Sequence, residues 1–299
     1  MKGCGNAYYE HMASASGKTQ FALQASLLVQ LPIDKGGLSG SACYLTTNGV
    51  LPTPRLHEMA RAHELVTPET CNLDNVHTRS MTSLPELRHI LAQGMPDLIQ
   101  HLSGQQSSSH PLRLLVLDSM SALFHNNIKT TSKTLSERSR ELTDIALMLH
   151  HLASTHHLAI LVINEVNSVF ERVSPSLDLP QTSAHDQVIY SEQARWYSRG
   201  NSLPSEAYNE AGLGLVWASQ IGLRILMTRT GRRRNHLTRH DVKRQKNSTV
   251  GRSVLGPECL VEDEAPLIRR LSIIFSSFSS PCSVDFIILR SGITYLCDK

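Results

Sequence analysis

Met12-Ala13-Ser14-Ala15-Ser16-Gly17-Lys18-Thr19-Gln20 is the stretch on which the reading of this chain turns. Its right half, Gly17-Lys18-Thr19, has the form of the end of a phosphate-binding loop. In such a loop a turn of small residues points backbone N–H groups at the phosphates of a nucleotide. The lysine reaches the β/γ-phosphates and the threonine hydroxyl ligates Mg²⁺. Gln20 to Gln30 carry Phe21, Leu23, Leu27, Leu28 and Val29 with neither Gly nor Pro, so they predict a helix. Its N-terminus, with a partial positive charge, would face the anion. One position departs from the motif. Gly-x-x-x-x-Gly-Lys-Thr asks for glycine where this chain has Met12.

The bland alternative is a chance Gly-Lys-Thr at an ordinary helix start. An acidic partner downstream weighs against it. Leu114-Leu115-Val116-Leu117-Asp118 is a short apolar run ending in Asp. That is the form of a buried parallel strand delivering a carboxylate to its C-terminal end. A P-loop nucleotidase keeps its magnesium-side Asp there.

The 299 residues allow one large or two ordinary domains, and 40% apolar with 18% charged residues describes a globular chain with ample core. The net charge is only +3, so any nucleic-acid affinity must come from local clusters. The 6 cysteines are scattered without Cys-x-x-Cys spacing, which indicates neither a disulfide scaffold nor a zinc site and fits a reducing intracellular compartment. The pairs His150-His151 and His156-His157 read as a solvated helix end ahead of a metal site, since no Cys stands near them. No leader pattern opens the chain and no run reaches the ~18 apolar residues of a membrane span.

Further elements follow in order. Asn6 to Met12 is the place for a strand leading into the loop, although its alternation is poor. Ala42 to Thr47 is a β-type run closed by Asn48-Gly49, a turn signal. Pro52 and Pro54 start a helix from Arg55 to Leu65, and Leu73 to Thr78 reads as a short strand. A helical segment from Pro85 to Leu102 is expected to break at Gly94 and Pro96, and Asn126 to Thr134 to be loop. Ser136 to Ala153 has helical spacing and Leu158 to Ile163 is a strong β run. Strands apolar on both faces, alternating with helices, argue a mostly parallel sheet flanked by helices. From Ser168 to Glu210 periodicity is lost. Leu213 to Ile221 predicts a helix and Leu223 to Thr228 a strand. Next come a basic segment over Arg229 to Arg252, an acidic Glu262-Asp263-Glu264, and a β-rich end at Leu271–Phe275, Val284–Leu289 and Ile293–Leu296.

These residues resemble the RecA-type recombination ATPases of the eukaryotic and archaeal branch, and most of all the fungal recombinase paralogs that act as mediators. The specific points are Ser14 to Gln20, Tyr44 to Gly49, Leu51 to Leu56, Leu73 to His77, Val162 to Val166, Leu213 to Ala218, Arg229 to Arg233 and Arg269 to Phe275. The resemblance implies a RecA-like P-loop ATPase core, α/β, with a β-rich C-terminal edge. It implies one domain over 1–299, with a flexible basic/acidic insert at 231–267 and without the family's small N-terminal helical domain. A shortened N-terminus would account for that absence and for Met12.

The resemblance also assigns roles. Ser14, Ala15, Ser16, Gly17, Lys18, Thr19 and Gln20 would hold ATP, Thr19 and Asp118 its Mg²⁺, and Arg55 would stack on the adenine. Without the family, Arg55 reads equally as a solvated first-turn residue. The long aperiodic stretch and 126–134 fall where the family keeps DNA-binding loops, and no Asn-Lys-x-Asp guanine-reading motif is present. Asn48 stands where the family keeps a water-activating Glu; Asn orients a water but accepts no proton. Glu165, at the family's usual Gln, is a remote substitute. Arg232, Arg233 and Arg234 are candidates for nucleic-acid phosphates, against a solvated linker.

Three readings stand at this point. One is an ATP-binding mediator with weak hydrolysis that assists a recombinase filament on single-stranded DNA in double-strand-break repair. It would work in the nucleus, with a second paralog as heterodimer partner and with the strand-exchange recombinase. The second is a nucleotide-independent scaffold of a paralog complex, and the third an active DNA-dependent ATPase.

Overall fold

A computed structural model describes residues 16–104, 110–124, 132–164, 166–168, 209–211, 213–234 and 265–296. Its centre is a parallel sheet of β1 (Ser41–Thr46), β2 (Val76–Ser80), β3 (Leu112–Asp118) and β4 (Ala159–Ile163), in the order β2-β1-β3-β4. Every residue of β1 is buried. The reason is that helices cover both faces, so neither alternating set of side chains meets water. Cys43, Leu45, Leu115 and Leu117 pack on one side with Leu87, Leu91, Met95, Ile145 and Leu149. Ala42, Tyr44, Leu114 and Val116 pack on the other with Ala22, Leu23, Leu27, Leu56 and Met59.

The second face is covered by α1 (Lys18–Leu28) and α2 (Thr53–Ala62). The first face is covered by α3 (Leu84–His89), α4 (Met95–Gly104) and, after the short α5 (Met120–Leu123), by α6 (Ser132–His156). Ser83 caps α3, its hydroxyl accepting from the Glu86 N–H, and Pro85 sits in the first turn where no donor is missed. The break expected at Gly94 and Pro96 does not occur. A π turn, Ile90–Gly94, carries α3 into α4. Pro96 has no N–H to give the preceding turn, and the wider turn relieves the crowding of its ring. Thr134, expected in a loop, is helical because α6 starts at Ser132 and is supported by the Lys133–Glu137 pair one turn apart. The strand expected over Leu73–Thr78 is split into a 3₁₀ turn, Leu73–Asn75, capped by the Asn72 side chain, and β2.

Two further ladders complete the fold. β5 (Val166–Ser168) pairs antiparallel with β6 (Asn209–Ala211), so the aperiodic stretch is joined at its two ends. After the short α7 (Gly214–Ala218) come β7 (Leu223–Arg233), β8 (Leu267–Ser276), β9 (Ser283–Leu289) and β10 (Gly292–Tyr295). They form an antiparallel sheet in the order β10-β9-β8-β7. β7 runs past its expected end because β8 offers partners there, Arg229 opposite Arg269 and Arg233 opposite Leu267. The expected insert over 231–267 thus begins and ends within strands, and 235–264 lie outside the described residues. β10 meets α1 where Gln24 both accepts from the Ile293 N–H and donates to its carbonyl. Gly292, at φ +113°, permits that approach; a Cβ there would stand 2.7 Å from Gln24 Oε1.

Candidate functional site

Alternation along the strands brings the site together. Tyr44 pairs with Val116 and Thr46 with Asp118, so Tyr44 and Asp118 lie on one face, two residues apart in register. That is the face α1 covers. Thr19, in the first turn of α1, donates its hydroxyl to Asp118 Oδ2 at 2.9 Å, closing a contact across 99 residues. Tyr44 donates to the same oxygen at 2.6 Å. Burial first, and then the Asp118 charge, hold the Tyr44 phenol far above its usual range, so it remains a donor.

The start of α1 has features that suit an anion. Gly17 precedes it at φ +101°, a left-handed conformation that glycine adopts without strain, and as N-cap it offers no side chain to the first N–H groups. A Cβ at Gly17 would meet Ile288 at 3.0 Å and Phe286 at 3.5 Å, so the C-terminal sheet backs the turn. Lys18 donates to Ser16 Oγ at 3.4 Å. Gln20 and Arg55, from α1 and α2, are joined at 2.7 Å. Arg55 also donates to Glu58 at 2.5 Å and to the carbonyls of Arg290 at 3.1 Å and Leu289 at 2.6 Å.

The residues present fit a nucleotide and Mg²⁺. Thr19 and Asp118 are hard oxygen donors of the kind Mg²⁺ takes, and a helix start preceded by glycine suits a phosphate. A further polar atom, Ser119 Oγ, is buried beside Asp118 with no partner among the described residues. Thr47 fixes this corner, accepting from the Ser119 N–H at 3.0 Å.

The other expected residues divide clearly. Asn48 stands exposed just past β1, its N–H bonded to Thr46 Oγ1 at 3.2 Å. Ser14, Ala15 and Glu165 lie outside the described residues. Arg232 lies on the antiparallel sheet, its guanidinium on Asp285 together with that of Arg270, while Arg233 donates to the Ala265 carbonyl at 3.2 Å and Arg234 is exposed. Sequence reading missed Tyr44, which looks like one more core aromatic in a β run. The available signal was its spacing, since Tyr44 and Thr46 alternate onto one face. Among the described residues no group of His, Cys, Asp and Glu is placed to hold another metal, and no helix is long and apolar enough to cross a membrane.

The Rad51 family model matches residues 7–180. The chain is 31% identical over 290 residues to the DNA repair protein XRCC3 homolog of Arabidopsis thaliana, covering 94% of this chain and 83% of that protein. It is 28% identical over 230 residues to the DNA repair protein rhp57 of Schizosaccharomyces pombe, covering 72% of this chain and 60% of the relative. Over 154 residues it is 30% identical to the DNA repair protein RAD57 of Saccharomyces cerevisiae, covering 51% of this chain and 32% of the relative. The family model covers more than half of this chain and the similarity to the XRCC3 homolog nearly all of it, so the chain, a RecA-like parallel sheet with an antiparallel C-terminal sheet, belongs to the Rad51 family.

Proposed function

We propose that this chain is an ATP-binding recombination mediator that assists a recombinase filament on single-stranded DNA in repair of double-strand breaks. The observation that carries the reading is the Thr19–Asp118 contact at the start of α1, where Gly17 is the N-cap. It joins the two halves of a phosphate-and-metal site inside a Rad51-family fold. Ser14, Ala15, Ser16, Gly17, Lys18 and Gln20 would cradle the phosphates, Thr19 and Asp118 would hold Mg²⁺, and Arg55 would stack on the base. When bound, Mg²⁺ neutralises phosphate charge. Lys18 orients the phosphates, Thr19 keeps its hydroxyl proton on Asp118 and its lone pairs outward, and Asn48 positions water without removing its proton. Hydrolysis is therefore slow, and Glu165 is the remaining candidate base.

Similarity to three DNA repair proteins supports a nuclear place in recombination, with single-stranded DNA, a second paralog and the strand-exchange recombinase as partners. Arg232, Arg233 and Arg234 remain the proposed phosphate contacts for DNA, with Arg232 having to leave Asp285 to serve. The test is equilibrium dialysis of ATP with and without Mg²⁺, followed by turnover with and without single-stranded DNA. Mg²⁺-dependent binding with slow, DNA-indifferent turnover is the expected result. No binding would leave a nucleotide-independent scaffold; fast DNA-stimulated turnover would make the chain an active ATPase.

A further inference from the structure

Asp118 Oδ2 receives two hydrogen bonds, from Thr19 at 2.9 Å and from Tyr44 at 2.6 Å, while Oδ1 accepts none among the described residues. Thr19 belongs to the phosphate loop. Tyr44 was assigned no role by the resemblance, yet makes the shorter bond. Its ring is 1% exposed and lies in the core formed by β1, β3, α1 and α2. A phenol held this way cannot turn aside, whereas a carboxylate on its own rotates freely, its terminal torsion being broad and two-fold. Thr19 is a weaker tether, because its hydroxyl is also the atom offered to the cation.

We propose that Tyr44 is a positioning residue for the metal-side carboxylate. By holding Oδ2 it locks Asp118 so that Oδ1 is the oxygen presented to a divalent cation beside Thr19. The inference rests on the nucleotide-binding reading above and names the residue on which its metal affinity depends. Tyr44 touches neither cation nor phosphate, so its effect must appear in the cation requirement and not in contacts to the nucleotide. Partners that orient metal-binding carboxylates typically contribute 10–100-fold to metal affinity.

The experiment titrates Mg²⁺ against binding of a fluorescent, slowly hydrolysed ATP analogue to the full chain, with a parallel measurement of analogue affinity in EDTA. Tyr44→Phe keeps the ring and removes the donor. It is expected to raise the half-saturating Mg²⁺ about tenfold or more and to leave the EDTA affinity unchanged. In an Asp118→Asn background, adding Tyr44→Phe should change nothing further, since the tyrosine acts through that carboxylate. 3-Fluorotyrosine placed at 44 retains the donor and should restore the wild-type requirement. An unchanged Mg²⁺ requirement in Tyr44→Phe, or equal losses with Mg²⁺ and with EDTA, overturns the proposal while nucleotide binding stands. Should Tyr44→Phe not fold, a series of fluorotyrosines of rising acidity at 44 replaces it; the Mg²⁺ requirement must then move with acidity, and a flat series overturns the proposal. A wild-type chain that binds no analogue overturns the mediator reading and this inference together.

Discussion

β1 and β8 are both apolar strands inside sheets, yet every residue of β1 is buried and no residue of β8 is. The difference comes from what covers them. β1 lies between helices on both faces, whereas β8 belongs to a sheet whose Phe275, Val284 and Tyr295 remain exposed. Polar groups are held differently in consequence. At the end of the parallel sheet a buried carboxylate is fixed by two hydroxyls; in the antiparallel sheet Asp285 is fixed by two arginines that remain half in water. The first arrangement suits a site whose geometry must not vary. The second responds to salt and acid.

The largest effect should come from removing the one ammonium group in the phosphate loop. Lys18→Ala is expected to abolish nucleotide binding measured by dialysis, while Arg270→Ala in the antiparallel sheet leaves it intact. Equal binding by Lys18→Ala and wild type would remove the case for a phosphate site at α1.

Asn48 tests the same end of the parallel sheet for chemistry. A general base contributes ~10²–10⁴-fold, so Asn48→Glu should raise the single-turnover hydrolysis rate by up to that factor without tightening ATP binding. A rate unchanged by the substitution, in protein shown to bind ATP, would mean that Asn48 serves only its Asn-Gly turn.

The contrast in burial predicts stabilities directly. Leu115 is 0% exposed between both helical layers, and Leu115→Ala should cost ~2–5 kcal/mol in urea unfolding. Phe275, 49% exposed on the antiparallel sheet, should lose well under half of that on truncation to Ala. Similar losses at the two positions would show that the exposed face of the C-terminal sheet is covered in solution.

The two regions also differed in how well they could be read. Thr19 was legible because Gly-Lys-Thr fixes residue types at fixed spacing, Asp118 because it closes an apolar run, and the continuous apolar runs Ala42–Leu45 and Leu114–Leu117 announced strands buried on both faces. Tyr44 was not legible, because its hydroxyl looks like an incidental part of a core ring until β1 and β3 are placed side by side. The far end of β7 was hidden for another reason. Arg229 to Arg233 have the composition of a linker and become strand only through pairing with β8 across an intervening stretch of more than thirty residues. The β5–β6 ladder joins residues still further apart in sequence, and the π turn before Pro96 reflects a local geometric conflict that periodicity does not register. Propensity speaks for local structure; pairing at a distance does not appear in it.

The smallest effect concerns Asp285. Arg270 donates to it from Nε at 2.8 Å and from a terminal nitrogen at 3.3 Å, and Arg232 donates as well. The hydrogen bond from Arg270, followed by that from Arg232, lowers the carboxyl below its usual 3.8. A group whose folded pKa is depressed stabilises the fold above its unfolded pKa and loses that contribution as pH falls through the folded value. Asp285→Asn should therefore cost a constant amount from neutral pH down to about pH 5, and the difference from wild type should close only below about pH 4. Because Arg270 and Arg232 are 40% and 54% exposed, solvent screening limits that amount to roughly 1 kcal/mol or less. The loss should shrink further in high salt, as the Tyr44–Asp118 contact should not. Urea midpoints at pH 7 and pH 3, each at low and high salt, measure all of this. A loss of several kcal/mol that ignores salt would mean that Asp285 is as sequestered as Asp118, and the distinction between the two sheets would fail at its most direct point.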